Sequence, residues 1–154
     1  MDTHTPQSSQ QGRQAGFTLL EVMVVIVILG VLASLVVPNL LGNKEKADTQ
    51  KTVSDIIAIE NALDMYKLDN SSYPTTDQGL DALVSKPSGT PEPRRYRDGG
   101  YIKRLPNDAW GREYQYLSPG DKGSIDIFSL GADGQEGGDG ANQDIGNWNI
   151  QDFQ

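Results

Sequence analysis

Between Phe17 and Val37 the chain carries 21 residues with a single charge, Glu21. As a helix this run would be about 31 Å long at roughly 1.5 Å per residue, against a bilayer hydrocarbon core of about 30 Å. An ionised glutamate deep in such a span costs roughly 2.5–3.5 kcal/mol on insertion scales. A chain that carries this cost should have a use for the charge, so its function turns on what Glu21 pairs with.

About 115 residues follow Val37, enough for one modest soluble domain. The formal net charge is −8, which argues against nucleic acid as a partner, because phosphate binding needs a basic patch. Acid is concentrated at the end: Asp121, Asp126, Asp133, Glu136, Asp139, Asp144 and Asp152 stand against one base, Lys122. Such a tail repels itself unless a cation or partner neutralises it. There is no cysteine, so disulfides, thiolate metal sites and cysteine nucleophiles are absent. The one histidine, His4, sits in a polar amino-terminal stretch, which removes imidazole-based catalysis. The sequence does not read as an enzyme.

Three readings compete for the amino-terminal segment. A secretory signal would have a basic start and an apolar core of roughly 7–15 residues; here Arg13 is the only base before a longer run. A plain membrane anchor fits length and hydropathy but leaves Glu21 idle. The third rests on Gly16-Phe17-Thr18-Leu19-Leu20-Glu21, which resembles the prepilin processing motif of the type IV pilin-like superfamily. That resemblance implies that a prepilin peptidase cuts between Gly16 and Phe17, releasing residues 1–16 as a leader, and N-methylates Phe17. It also makes Glu21 the family's assembly glutamate. The new ammonium at Phe17 would lie at the positive end of a helix dipole, and a neighbouring subunit could offer Glu21 a second amine. Two unit charges about 4 Å apart interact by roughly 4 kcal/mol at an effective dielectric of 20.

The helix is expected to continue beyond the membrane. Pro38 removes a backbone hydrogen bond and predicts a kink, yet Val53, Ile56, Ile59, Leu63 and Tyr66 form an amphipathic stripe. One bent helix over about 17–68 follows, with 17–37 as transmembrane half and 38–68 as amphipathic half. Glu60 and Asp64, four apart, form a like-charge pair on it. Such a pair is usually a solvated face; the functional alternative is a cation from the next subunit, for which Lys103 and Arg104 are the candidates.

Residues 69–154 read as the globular region. A short helix is expected over Gln78–Lys86 and a proline-rich surface loop over 87–100. Strands are expected at Glu113–Leu117 and Ile125–Leu130, joined by a hairpin loop. The segment 130–148 holds six glycines among its acids, a loop able to fold around a hard cation with oxygen ligands. It nearly matches both an EF-hand spacing from Asp133 and a glycine-aspartate calcium repeat. A mobile loop without metal is the bland alternative.

Phe128-Ser129-Leu130-Gly131-Ala132-Asp133-Gly134 and Asp144-Ile145-Gly146-Asn147-Trp148, with Tyr101–Pro106 and Tyr73–Thr76, resemble the major pseudopilin family of type II secretion. The resemblance covers residues 16–149. It implies an α+β pilin-like fold, with a long amino-terminal helix packed on a small antiparallel sheet and a carboxy-terminal calcium loop. It implies one Ca2+ held through Asp133, Asp144, Asp139 and the Leu130 carbonyl. It further implies an inner-membrane protein with a periplasmic domain, which polymerises into a helical filament with minor pseudopilins, an inner-membrane assembly platform and membrane lipid as partners. In this family, intersubunit ion pairs of the Glu60/Asp64 kind register one protomer against the next. A type IV pilus subunit for adhesion or motility is the alternative, though such pilins commonly carry a disulfide.

Overall fold

The structure, a computed structural model, describes residues 16–153, with side chains throughout except at 35–41. The expected leader, apart from Gly16, lies outside the described residues, as does the side chain of Pro38; the backbone there is assigned to one helix, Leu19–Asn70. The chain divides into two compact units between Leu40 and Leu41. Helix α1 (Leu19–Asn70) contributes to both.

In the first unit, α1 starts from a cap. Thr18 Oγ1 accepts a hydrogen bond from the Glu21 backbone N–H at 3.2 Å, so Thr18 and Glu21 occupy the N-cap and N3 positions of a capping-box sequence. Every large apolar side chain described from Phe17 to Leu32 is 47–81% exposed, far more apolar surface than a soluble monomer usually presents. Among the described residues no helix is long and apolar enough to cross a membrane. Leu19–Ser34, the part whose side chains are described, has 16 residues, against about 20 for a crossing.

In the second unit the stripe Val53, Ile56, Ile59, Leu63 and Tyr66 is buried, as its spacing predicts. Lys44–Asp48 and Lys51–Asp55 pair along the helix's exposed side. The helix stops where Asn70 closes it: its Nδ2 donates to the Tyr66 carbonyl at 3.0 Å, and Ser71 turns to φ 70°. The stripe packs on an antiparallel sheet of order β1-β2-β3: β1 (Gln115–Leu117), β2 (Asp126–Ser129) and β3 (Ile145–Gly146). Tyr116 pairs with Ile127, and Ser129 with Ile145. Tyr114, Tyr116, Ile125, Ile127 and Ile145 complete the core against α1.

Three expectations need correction. The helix expected over Gln78–Lys86 is a single 3-10 turn, Leu80–Leu83. An α-helix would need residue 87 to bond the Leu83 carbonyl, but Pro87 has no N–H; Tyr101 and Ile102 take that carbonyl instead, at 2.7 and 3.1 Å. Their approach requires Gly100, where an added Cβ would stand 2.6 Å from the Leu83 oxygen. The expected strands are shorter than their sequence windows. Finally, β3 was not expected, and it makes the acidic segment Leu130–Asp144 the connection between two neighbouring strands.

Candidate functional site

The processing segment is open. A Cβ placed on Gly16 would meet nothing within 4 Å, so no contact among the described residues demands a glycine there. Phe17 and Glu21 are exposed.

On the second unit, Glu60 is half-buried and Asp64 exposed, and both have partners within the chain. Tyr73 Oη donates to Asp64 at 2.7 Å, and the Lys67 ammonium lies 4.4 Å from the Tyr73 ring centre. Asn147 Nδ2 donates to Glu60 at 3.4 Å. Each partner is neutral, so both carboxylates keep their charge uncompensated by an ion pair among the described residues. Lys103 and Arg104 are exposed and likewise make no ion pair there. The fold does not bring the two pairs together within one chain.

Burial first, then the Asp64 hydrogen bond, pushes the Tyr73 phenol up to about 12 from 10.0. A phenol raised in this way holds its proton more tightly when folded. Its contribution to stability is therefore complete below pH 10 and lost as pH rises through about 12. Tyr73→Phe is expected to remove part of the alkaline fall in the urea midpoint between those values. A profile identical to the parent would show that the Tyr73–Asp64 contact contributes nothing.

The acidic loop is held at both ends by side chains that sequence reading missed. Arg112 donates through Nη1 to the Gly131 carbonyl at 2.7 Å and through Nη2 to the Ala132 carbonyl at 2.6 Å. Its own backbone N–H is held by the buried carboxylate of Asp108, which also accepts from Trp110 N–H and the Ser129 hydroxyl. At the far end Asn147 is hydrogen-bonded to Ile125 and Ile127 of the hairpin. Gly131 lies against the backbone of Asn142, where a Cβ would come within 2.6 Å. The loop folds back on itself, and Ala132 N–H bonds Ala141 O at 2.8 Å.

Within the loop the four expected ligands differ. The Leu130 carbonyl accepts from Gly134 N–H at 3.2 Å. Asp133 and Asp139 are exposed, and Asp133 accepts from Gln135 N–H at 3.1 Å. Asp144 is half-buried; one oxygen accepts from Gly137 N–H at 2.8 Å, and the other is buried without any hydrogen-bond partner. A buried unpaired carboxylate oxygen is costly, and a cation would remove that cost. Among the described residues, however, no three His, Cys, Asp or Glu side chains gather into one metal-holding group. Asp144 alone carries the mark of a ligand in this arrangement.

A second buried acid, Asp126, belongs to the scaffold. Its carboxylate accepts from the backbone N–H groups of Asp121, Lys122 and Gly123 at 2.7, 2.9 and 3.0 Å. Gly120 is needed beside it, since a Cβ there would lie 2.5 Å from the Asp126 oxygen.

Comparison with known proteins gives a consistent picture. Residues 39–148 match the profile of type II secretion system protein G, and residues 11–37 match the prokaryotic N-terminal methylation motif. The type II secretion system core protein G of Vibrio cholerae is 80% identical over 142 residues, covering 92% of this chain and 97% of the relative. That of Aeromonas hydrophila is 75% identical, with 94% and 99% covered. The crystal structure of the major pseudopilin from the type 2 secretion system of enterohaemorrhagic Escherichia coli superposes with a TM-score of 0.64. Its sequence identity is 62%, and 73% of this chain and 96% of that one are covered.

Proposed function

The chain belongs to the type II secretion system protein G family, and from that premise we propose how it works as the major structural subunit of the pseudopilus, a role of assembly and not of catalysis. The precursor sits in the inner membrane through residues 17–37, with residues 38–68 continuing the helix and 69–154 in the periplasm. A prepilin peptidase removes residues 1–16 and methylates Phe17. Subunits then leave the bilayer and stack into a periplasmic homopolymer that promotes export of folded proteins across the outer membrane. Minor pseudopilins and an inner-membrane assembly platform act on the same filament. The observation that carries this reading is the apolar, uncovered surface from Phe17 to Leu32, within a segment that matches the N-terminal methylation profile. Such a face needs lipid before assembly and sister helices after it.

Mass spectrometry of the membrane-associated protein is expected to find a mature start at methylated Phe17. An intact Gly16–Phe17 bond in cells that carry the peptidase would reduce the protein to a simple anchor.

Within the filament, Glu60 and Asp64 of one subunit face Lys103 and Arg104 of another. The supporting observation is that all four are without an ion pair among the described residues. Charge reversal at Glu60, or at Lys103 with Arg104, is expected to reduce filament yield severalfold. The combined variant should recover it, as measured by shearing and sedimentation. No recovery in the combined variant would remove the pairing.

The loop is proposed to hold Ca2+ through the Asp133, Asp139 and Asp144 carboxylates and the Leu130 carbonyl, with the unpaired Asp144 oxygen as support. The ion would neutralise the loop's charge and tie it to its two strands. Calcium suits this set better than magnesium, which prefers to keep its waters and a strict octahedron.

A further inference from the structure

In a chain of net charge −8, Lys86, Arg94, Arg95 and Arg97 cluster in one region. Two of them are used internally, Lys86 with Glu92 at 2.7 Å and Arg97 with Asp69. Arg94 and Arg95 are exposed, and neither guanidinium makes an ion pair among the described residues. The backbone that carries them is held: Asn70 Oδ1 accepts from Arg95 N–H at 3.0 Å, and Tyr96 stacks edge-on against Tyr66 and Tyr101. Arg94, Arg95 and Tyr96 line an open cavity of about 520 Å³. Lys86 and Arg97 line it too, with Asp98 as its one acid. Two guanidinium groups on a held backbone segment, with no ion pair of their own, suit a carboxylate.

The acidic loop that carries Glu136 reaches the other end of the same unit. Gly140 lies beside Glu45, with a Cβ position 3.4 Å from the Glu45 oxygen, so the acidic loop sits near residue 45 of α1. The arginine loop sits at Asn70. Twenty-five helical residues separate the two, about 37 Å along the axis. Glu136 is exposed in that loop, makes no ion pair among the described residues, and is not one of the proposed calcium ligands.

We propose that the Arg94–Arg95 cavity receives Glu136 of a second copy stacked head to tail along the α1 direction. Two unlike patches at opposite ends of one chain form a heterologous contact that repeats without closing, which generates a filament, and their opposite charge sets polarity and register. The inference deepens the proposed function and rests on it.

Because the chain has no cysteine, Arg95→Cys with Glu136→Cys introduces only two thiols into the full-length protein. Mild oxidation of sheared filaments is expected to give a ladder of dimers, trimers and longer species on a non-reducing gel, absent from either single variant. Independently, R94E/R95E and E136K should each lower filament yield at least tenfold, and their combination should restore it. Filaments that form at parental level in every variant, with no ladder, overturn the proposal alone. An adduct whose mass is not a multiple of this chain assigns the cavity to another partner and overturns it too. Parent chains that never polymerise would overturn the underlying reading, and this contact with it.

Discussion

Glu21→Gln is expected to abolish filament formation while leaving processing and membrane insertion intact. The Coulomb attraction proposed between Glu21 and a freed Phe17 amine, roughly 4 kcal/mol at about 4 Å and an effective dielectric of 20, corresponds to about a thousandfold in the affinity of each added subunit. The glutamine change is more telling than Glu21→Ala because Glu21 also stands at N3 of the helix that Thr18 caps. The cap itself uses the backbone N–H of residue 21, which both variants keep; glutamine also keeps an N3 side chain able to complete a capping box, and alanine does not. Sheared-filament sedimentation, with the detergent-extracted monomer as control, separates the two roles. A glutamine variant that assembles as the parent does, beside an alanine variant that fails, would assign Glu21 to capping and leave the intersubunit ion pair without support.

Chelation is the second large effect. Calcium that binds only the folded chain at a hundredfold excess over its dissociation constant adds about 2.7 kcal/mol. For a domain of about 115 residues, 1 kcal/mol moves the melting temperature by about 4 °C, so EGTA is expected to lower it by about 10 °C. Asp144→Asn should erase most of the difference between calcium and EGTA, and magnesium should restore little in the parent. The structural reason lies in the loop's position. It joins two adjacent strands, and Asn147, directly after β3, reaches both the hairpin and Glu60. Slack in the loop is therefore felt at the sheet and beside the proposed assembly acids. Identical melts in calcium and EGTA would dispose of the site.

Much of the fold was legible before any coordinates. The α1 stripe follows from a 3–4 residue period that only a helix satisfies, and Tyr114/Tyr116 with Ile125/Ile127 alternate as a half-buried sheet must. The processing motif is contiguous, so no folding is needed to read it. Other features were not legible. Alternation places Asp126 on the solvent side between two buried isoleucines, yet it is buried because three loop N–H groups converge on it. Strand β3 is two residues long, too short for any pattern. Asp108 offered one faint signal, an Asn-Asp pair ahead of Gly111 that suggests an Asx turn; its bond to Ser129 lies 21 residues away.

Local periodicity and a contiguous motif were enough to read the long helix, its buried stripe and the N-terminal methylation motif, because neighbours in the chain set those properties. The tertiary structure alone decided which carboxylates are buried, that Glu60 and Asp64 already hold neutral partners, and that the acidic loop and the Arg94–Arg95 cavity lie at opposite ends of the second unit. Those outcomes depend on hydrogen bonds between residues far apart in sequence, whose partners no local pattern encodes.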